Sequence, residues 1–117
     1  MSIDDEIREL IASARENYKL AYEYEQKCSE RRETIRIREL KRVTEYAAAG
    51  NEADKAVMKQ LRAEGKSTSF DVSVDTIASN DTLWRGYVAN NQFYTRKADL
   101  DNQMAQTLLK AKELGVL

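Results

Sequence analysis

The chain has 117 residues, of which 33% are charged, and it contains no proline, four glycines, no histidine and a single cysteine, Cys28. This inventory excludes zinc sites, Ser-His-Asp triads and Cys-His nucleophiles, and with them most hydrolase chemistry. The formal net charge of −1 supplies no long-range field that would pull the whole protein onto nucleic acid or an anionic membrane. Helix-forming residues are abundant and helix breakers are rare, so the composition predicts an all-α fold with long helices.

The first predicted element is a long helix over about residues 3–49. Ser2 is a suitable N-cap, and the acidic residues 4–6 would lie in the first turn, where the helix dipole favours them. Apolar residues then keep step with the helical repeat for about eleven turns. These residues are Ile3, Ile7, Ile11, Ala14, Tyr18, Ala21, Cys28, Ile35, Leu40, Val43 and Ala47.

The end of the first helix and the start of a second, shorter helix are predicted next. Gly50 is a suitable C-cap and Asn51 a suitable N-cap, so a short helix over about 51–64 is favoured. The alternative is a first helix that continues through Gly50, because one interior glycine costs only about 1 kcal/mol. The small and polar residues of 65–73 predict a loop, although alternating apolar residues within it could form a short extended piece.

A second long helix is predicted over about 74–114. Gly115 would end it, and Asn80 or Asp81 could cap a restart within it. Its apolar stripe consists of Ile77, Leu83, Trp84, Tyr87, Val88, Tyr94, Ala98, Leu100, Met104, Leu108 and Leu109.

These elements predict a single helical domain over 1–117, built as a long antiparallel, coiled-coil-like hairpin. The returning helix is expected to end opposite about residues 16–24, which would leave the apolar residues of the amino terminus without a cover inside the chain. Burial of a large apolar side chain contributes about 1.5–3 kcal/mol, and a side chain left in water lacks this stabilisation. The sequence therefore predicts an oligomeric bundle that covers these residues. The predicted oligomer interface is Ile3, Ile7, Leu10, Ile11, Ala14 and Tyr18.

Charge predicts how two copies would pair. Residues 1–25 carry seven acidic and three basic side chains, whereas residues 26–42 carry seven basic and three acidic ones. An antiparallel homodimer would place each acidic segment against the basic segment of its partner, and several weak pairs together can select an orientation.

The window 31–42 holds six basic and two acidic residues. At helical spacing Arg31, Arg38 and Arg42 fall near one another and could follow a row of phosphates. The alternative interpretation is a charged outer face that meets acidic residues of a neighbouring helix. Nucleic acid is therefore a possible partner but not the favoured one.

Two groups of aromatic residues are predicted to lie at interfaces. One group lies on the first helix and the other on the last. Their members are Tyr18, Tyr22 and Tyr24 in the first group and Trp84, Tyr87, Phe93 and Tyr94 in the second. Aromatic residues are enriched in binding hot spots, but they also fill the seam of a thin helical hairpin. Both interpretations remain open.

The remaining carboxylates lie in strongly polar surroundings, so they predict helix caps and solvated faces rather than acid–base catalysis or a metal site. No phosphate-binding glycine loop is present, and no cofactor is predicted. The acidic amino terminus is unlike a secretory signal, and no apolar run approaches the roughly 20 residues that cross a bilayer. A cytoplasmic protein without membrane contact is expected.

The sequence thus predicts a non-enzymatic homo-oligomer, most simply a dimer, that acts in protein–protein interaction as an assembly or adaptor element. The alternative is a small regulator or inhibitor that docks on a larger enzyme or on nucleic acid through the basic segment 31–42.

Overall fold

The computed structural model describes residues 2–49, 55–56, 59–60, 63–64 and 69–116, with their side chains apart from those of 43–49 and 69–71. Over these residues the fold is all-helical, as the sequence predicted. The main helices are α1 (Ile3–Ala49), α2 (Ser69–Asn80) and α3 (Thr82–Glu113). The chain divides into a first unit, Met1–Lys27 with Gly86–Leu117, and a second unit, Cys28–Arg85.

The start of α1 follows from local capping. The backbone N–H of Asp5 donates to Ser2 Oγ at 3.2 Å, and the N–H of Glu6 donates to the Ser2 carbonyl at 3.1 Å, which confirms Ser2 as the N-cap. Acidic residues 4–6 occupy the first turn. The predicted interruption at Gly50 lies outside the described residues, as does most of the predicted short helix 51–64.

The sequence prediction was wrong about where the second arm becomes helical. Residues 69–73, expected to be loop, form the start of α2. Val74 and Ala78, one turn apart, are 4% and 1% exposed, so burial of this face offsets the weak helix propensity of the valine and serine residues around it. Tertiary packing, rather than local propensity, therefore makes this segment helical.

The predicted long helix 74–114 is divided at Asp81, which lies between α2 and α3. Asp81 Oδ2 accepts from the backbone N–H of Trp84 at 2.8 Å, so Asp81 is the N-cap of α3. At the other end Gly115 has a φ of 70°. The N–H of Gly115 donates to the Lys112 carbonyl and that of Val116 to the Ala111 carbonyl, the Schellman pattern that ends α3.

In the first unit, α1 and α3 form an antiparallel hairpin. Ser13 lies opposite Asp101, and the ammonium of Lys112 pairs with the carboxylate of Asp4. The expectation that the last helix ends opposite residues 16–24 is therefore wrong, because α3 covers α1 as far as its first turn. Ile7 is 6% exposed within this unit, while Ile3, Leu10 and Ile11 are half-buried.

In the second unit, α1 packs against α2. Arg32 pairs with Asp75, so the returning arm meets α1 well before Ala49. An end of α3 opposite residues 16–24 would require the returning arm to begin opposite residues beyond Ala49, and this difference in register explains the error. The core of this unit includes Ile35, which is 3% exposed, together with Val74 and Ala78.

Candidate functional site

The seam of the first unit is lined by small residues. Ala14 and Ala21 of α1 are 4% and 5% exposed, and Ala98 and Ala105 of α3 are both fully buried. Each pair is separated by seven residues, so each pair lies on one face of its helix. Small side chains at these positions allow the two backbones to approach closely.

A polar layer crosses this seam. The Ser13 hydroxyl donates to Asp101 Oδ2 at 2.6 Å, and the Asn17 amide donates to the Ser13 carbonyl at 2.9 Å and weakly to Asp101 Oδ2 at 3.4 Å. Among the described side chains, no buried polar atom lacks a partner. Because a shift of α3 along α1 would leave the buried Asn17 and the half-buried Asp101 with fewer partners, this layer opposes changes of register.

An aromatic cluster lies further along the same hairpin. The rings of Tyr24 and Tyr94 stack with centroids 5.7 Å apart, and the Tyr87 ring lies 6.3 Å from that of Tyr24. Lys27 places its ammonium 5.0 Å from the Tyr24 centroid. Distances in this range are favourable for stacking and for cation–π attraction. Tyr87 and Tyr94 thus contact α1, which favours a seam role for them over a purely external one.

The opposite face of α3 carries large apolar residues without a cover. Phe93, Leu100 and Met104 are 57%, 60% and 55% exposed. Phe93 and Leu100 are two helical turns apart and Met104 is one turn further on, so all three share a face. Leu100 is two residues from the buried Ala98, or about 200° around the helix. We call Ala89, Phe93, Leu100 and Met104 the outer stripe.

Two shallow grooves run along the outer stripe. The first, of about 420 Å³, is lined by Phe93 and Leu100 and is flanked by Arg96 and Lys97. The second, also about 420 Å³, is lined by Leu100, Met104 and Leu108 and is flanked by Glu6 of α1. A further groove beside it continues over Met104 and Leu108 to Leu10 and Glu9. The stripe therefore has a basic end and an acidic end.

The arginines of the predicted basic window lie in the second unit, and several of them are paired within the chain. Arg31 forms a two-bond pair with Asp81, with distances of 2.8 and 2.9 Å, and Arg42 Nε lies 3.0 Å from a Glu39 oxygen. The Arg31 guanidinium and the Trp84 N–H lower the pKa of Asp81 to about 2. Arg32 and Arg36 pair with Asp75 and Glu33.

One small pocket is lined by Arg31, Arg38 and Arg42, together with Glu39 and Asp81. The three arginines are thus assembled as the helical spacing suggested, but two carboxylates lie among them. The arrangement corresponds to the alternative interpretation of the window, a charged face that meets acidic residues of a neighbouring helix.

The residues predicted as an oligomer interface occupy mixed positions. Ala14 is buried in the seam, and Tyr18 donates its hydroxyl to Asp99, which raises the pKa of the phenol. The premise that this segment has no cover within the chain is wrong, because α3 lies against it. Its role as an oligomer interface stays a prediction, and Leu10 reaches the groove beside Met104.

Trp84, grouped in the sequence with Tyr87 and Tyr94, belongs to the second unit, where it is half-buried and its backbone is held by Asp81. The sequence pattern places Phe93 in the aromatic group of the last helix and places Leu100 and Met104 in its apolar stripe, but it does not predict the face that the three share as a site. The signal that could have found them is their helical phase, because Leu100 and Ala98 cannot share one face.

No family model matches this sequence, and comparisons with curated proteins and with solved structures found no match. Among the described residues there is no group of three or more acidic or cysteine side chains placed to hold a metal ion. Within the same residues no helix has the length and apolar character needed to span a membrane.

Proposed function

We propose that this chain is a non-enzymatic helical protein that acts in protein–protein interaction and assembly as a homodimer. The observation that carries the proposal is the outer stripe of α3, where Phe93, Leu100 and Met104 are each more than half exposed. Scattered exposed leucines are normal on protein surfaces, but large apolar residues aligned along one helix face over three turns are typical of a packing face.

Burial of the exposed part of this face would favour association. Covering one large apolar side chain contributes about 1.5–3 kcal/mol, and a twofold dimer covers each residue twice. The cost of association offsets part of this gain, so a moderate affinity is expected. We place the protein in the cytoplasm and propose that the dimer serves as an adaptor for a further protein.

The alternative, docking on an enzyme or on nucleic acid through residues 31–42, is less well supported. Four of the six basic residues in this window have acidic partners within the chain, and their charge is largely offset before any ligand arrives. Binding of phosphates would have to displace or outcompete these carboxylates.

The experiment that tests the proposal is a concentration series by size-exclusion chromatography with light scattering, with the wild-type protein and Leu100→Asp. A charge in the centre of the stripe should raise the dimer dissociation constant at least about a hundredfold, since two copies of an apolar contact are lost. Leu83→Asp is the matched control, because Leu83 is 50% exposed on the same helix and lines neither groove. A wild-type protein that is monomeric at every concentration would refute the proposal.

A further inference from the structure

The outer stripe carries opposite charges at its two ends. Arg96 and Lys97 flank its Phe93 half, and Glu6 flanks its Met104 half, with Glu9 beside it. None of these four side chains forms a salt bridge with any residue that the structure describes. The apolar stripe thus lies between a basic end and an acidic end that are not neutralised by each other.

We infer that the outer stripe is covered by a second copy of this chain, with the two α3 helices antiparallel about a twofold axis near Leu100. This inference rests on the proposed function and specifies its partner and geometry. A surface that carries both signs of charge about an apolar centre is complementary to itself after a rotation of 180°, which is the requirement of an isologous dimer.

The register follows from the helical rise. Lys97 lies three residues before Leu100, so it is about 4.5 Å from the axis along the helix. Ser13 lies opposite Asp101, so Glu9, four residues before Ser13 on the antiparallel helix, is level with about residue 105 of α3, roughly 7.5 Å beyond Leu100. Rotation about Leu100 therefore brings Lys97 of one copy to within about 3 Å of the level of Glu9 of the other, and the twofold axis produces the same pair a second time.

A parallel pairing in the same register has the opposite consequence. It would set Lys97 against Lys97 and Glu9 against Glu9, and like charges across an interface oppose association. The apolar contact alone would be similar in both orientations, because Leu100 meets Leu100 in each. Charge at the two ends is thus what selects the antiparallel dimer.

Charge reversal tests the inference directly by sedimentation velocity over a concentration series. Lys97→Glu and Glu9→Lys should each weaken the dimer, because each variant places like charges opposite one another at both ends of the interface, and we expect the dissociation constant to rise about tenfold to a hundredfold. The double variant Lys97→Glu/Glu9→Lys restores opposite charges and should return to within about threefold of the wild-type value. Lys19→Glu, a reversal at an exposed position on α1, is the control and should have no effect.

The outcomes separate this inference from the proposed function. If Leu100→Asp disrupts the dimer while Lys97→Glu leaves it as tight as the wild type, the stripe is the interface and the antiparallel charge pairing is wrong. A double variant weaker than both single variants also overturns the inference. A monomeric wild-type protein overturns the inference together with the proposed function.

Discussion

The fully buried Ala98 in the seam should not accept a larger side chain. Leucine adds three carbon atoms at a position that is 0% exposed, and overpacking of this kind costs about 1–3 kcal/mol. Pushing α3 away from α1 would also stretch the bond of 2.6 Å between Ser13 and Asp101. We therefore expect Ala98→Leu to lower the free energy of unfolding by about 2 kcal/mol, which corresponds to a decrease in Tm of about 6–12 °C.

Ala12→Leu is the matched control, because Ala12 is exposed on α1 and alanine and leucine have similar helix propensities. Its free energy of unfolding should stay within about 0.5 kcal/mol of the wild type. Both variants are compared by urea unfolding followed by circular dichroism at one protein concentration, since dimerisation makes apparent stability depend on concentration. If Ala98→Leu and Ala12→Leu unfold at the same urea concentration, the two helices are not closely packed at Ala98.

Three further predictions follow from the two units. Ile7→Ala should lower the free energy of unfolding by about 2–5 kcal/mol while leaving the dimer dissociation constant unchanged, because Ile7 is covered by its own chain; a weaker dimer of unchanged stability would contradict this. The pKa of Asp81 is lowered from its ordinary value of 3.8 to about 2 in the folded state, so its contribution to stability is present above about pH 4 and is lost as the pH falls toward 2. Asp81→Asn should therefore show a smaller decline of the urea midpoint over that range than the wild type does, and an identical decline would refute the assignment. The window 31–42 should bind neither DNA nor RNA measurably at physiological salt, and a salt-sensitive dissociation constant below about 1 μM in a fluorescence anisotropy titration would overturn that expectation.

The sequence identified those parts of the fold that depend on local chemistry. The N-cap at Ser2 and the glycine at 115 were visible because capping involves residues within one or two turns of each other. The break at Asp81 was one of two candidates, and the structure selects it through the bond to Trp84. What local chemistry could not show was that residues 69–73 are helical, because burial of Val74 and Ala78 depends on a helix far away in the chain.

Register is the second property that the sequence did not determine. A stripe of apolar residues repeats every three to four positions, so two such stripes can pair at several offsets with similar local patterns. Long-range polar pairs resolve the choice, among them Arg31 with Asp81 and Ser13 with Asp101. Because the sequence does not reveal these pairs, it predicted that α3 ends opposite residues 16–24 and that the amino-terminal segment of α1 has no cover within the chain.

Around Ala98 and Ala105, α3 reverses the usual relation between size and burial, whereas Tyr87 and Tyr94 earlier in the helix pack against α1. The seam face presents Ala98 and Ala105, while Phe93, Leu100 and Met104 face outward. The predicted stripe of the last helix combined Ala98 of the seam with Leu100 and Met104 of the outer stripe, although Ala98 and Leu100 are about 200° apart around the helix. A helix that packs on one side only gains most by turning its largest apolar residues inward. A helix with small residues inward and large residues outward is instead suited to packing on both sides, with a close partner in its own chain and a second partner across the outer stripe. We therefore expect the apolar surface that favours association to lie on α3. The amino-terminal isoleucines instead stabilise the hairpin to which α3 belongs.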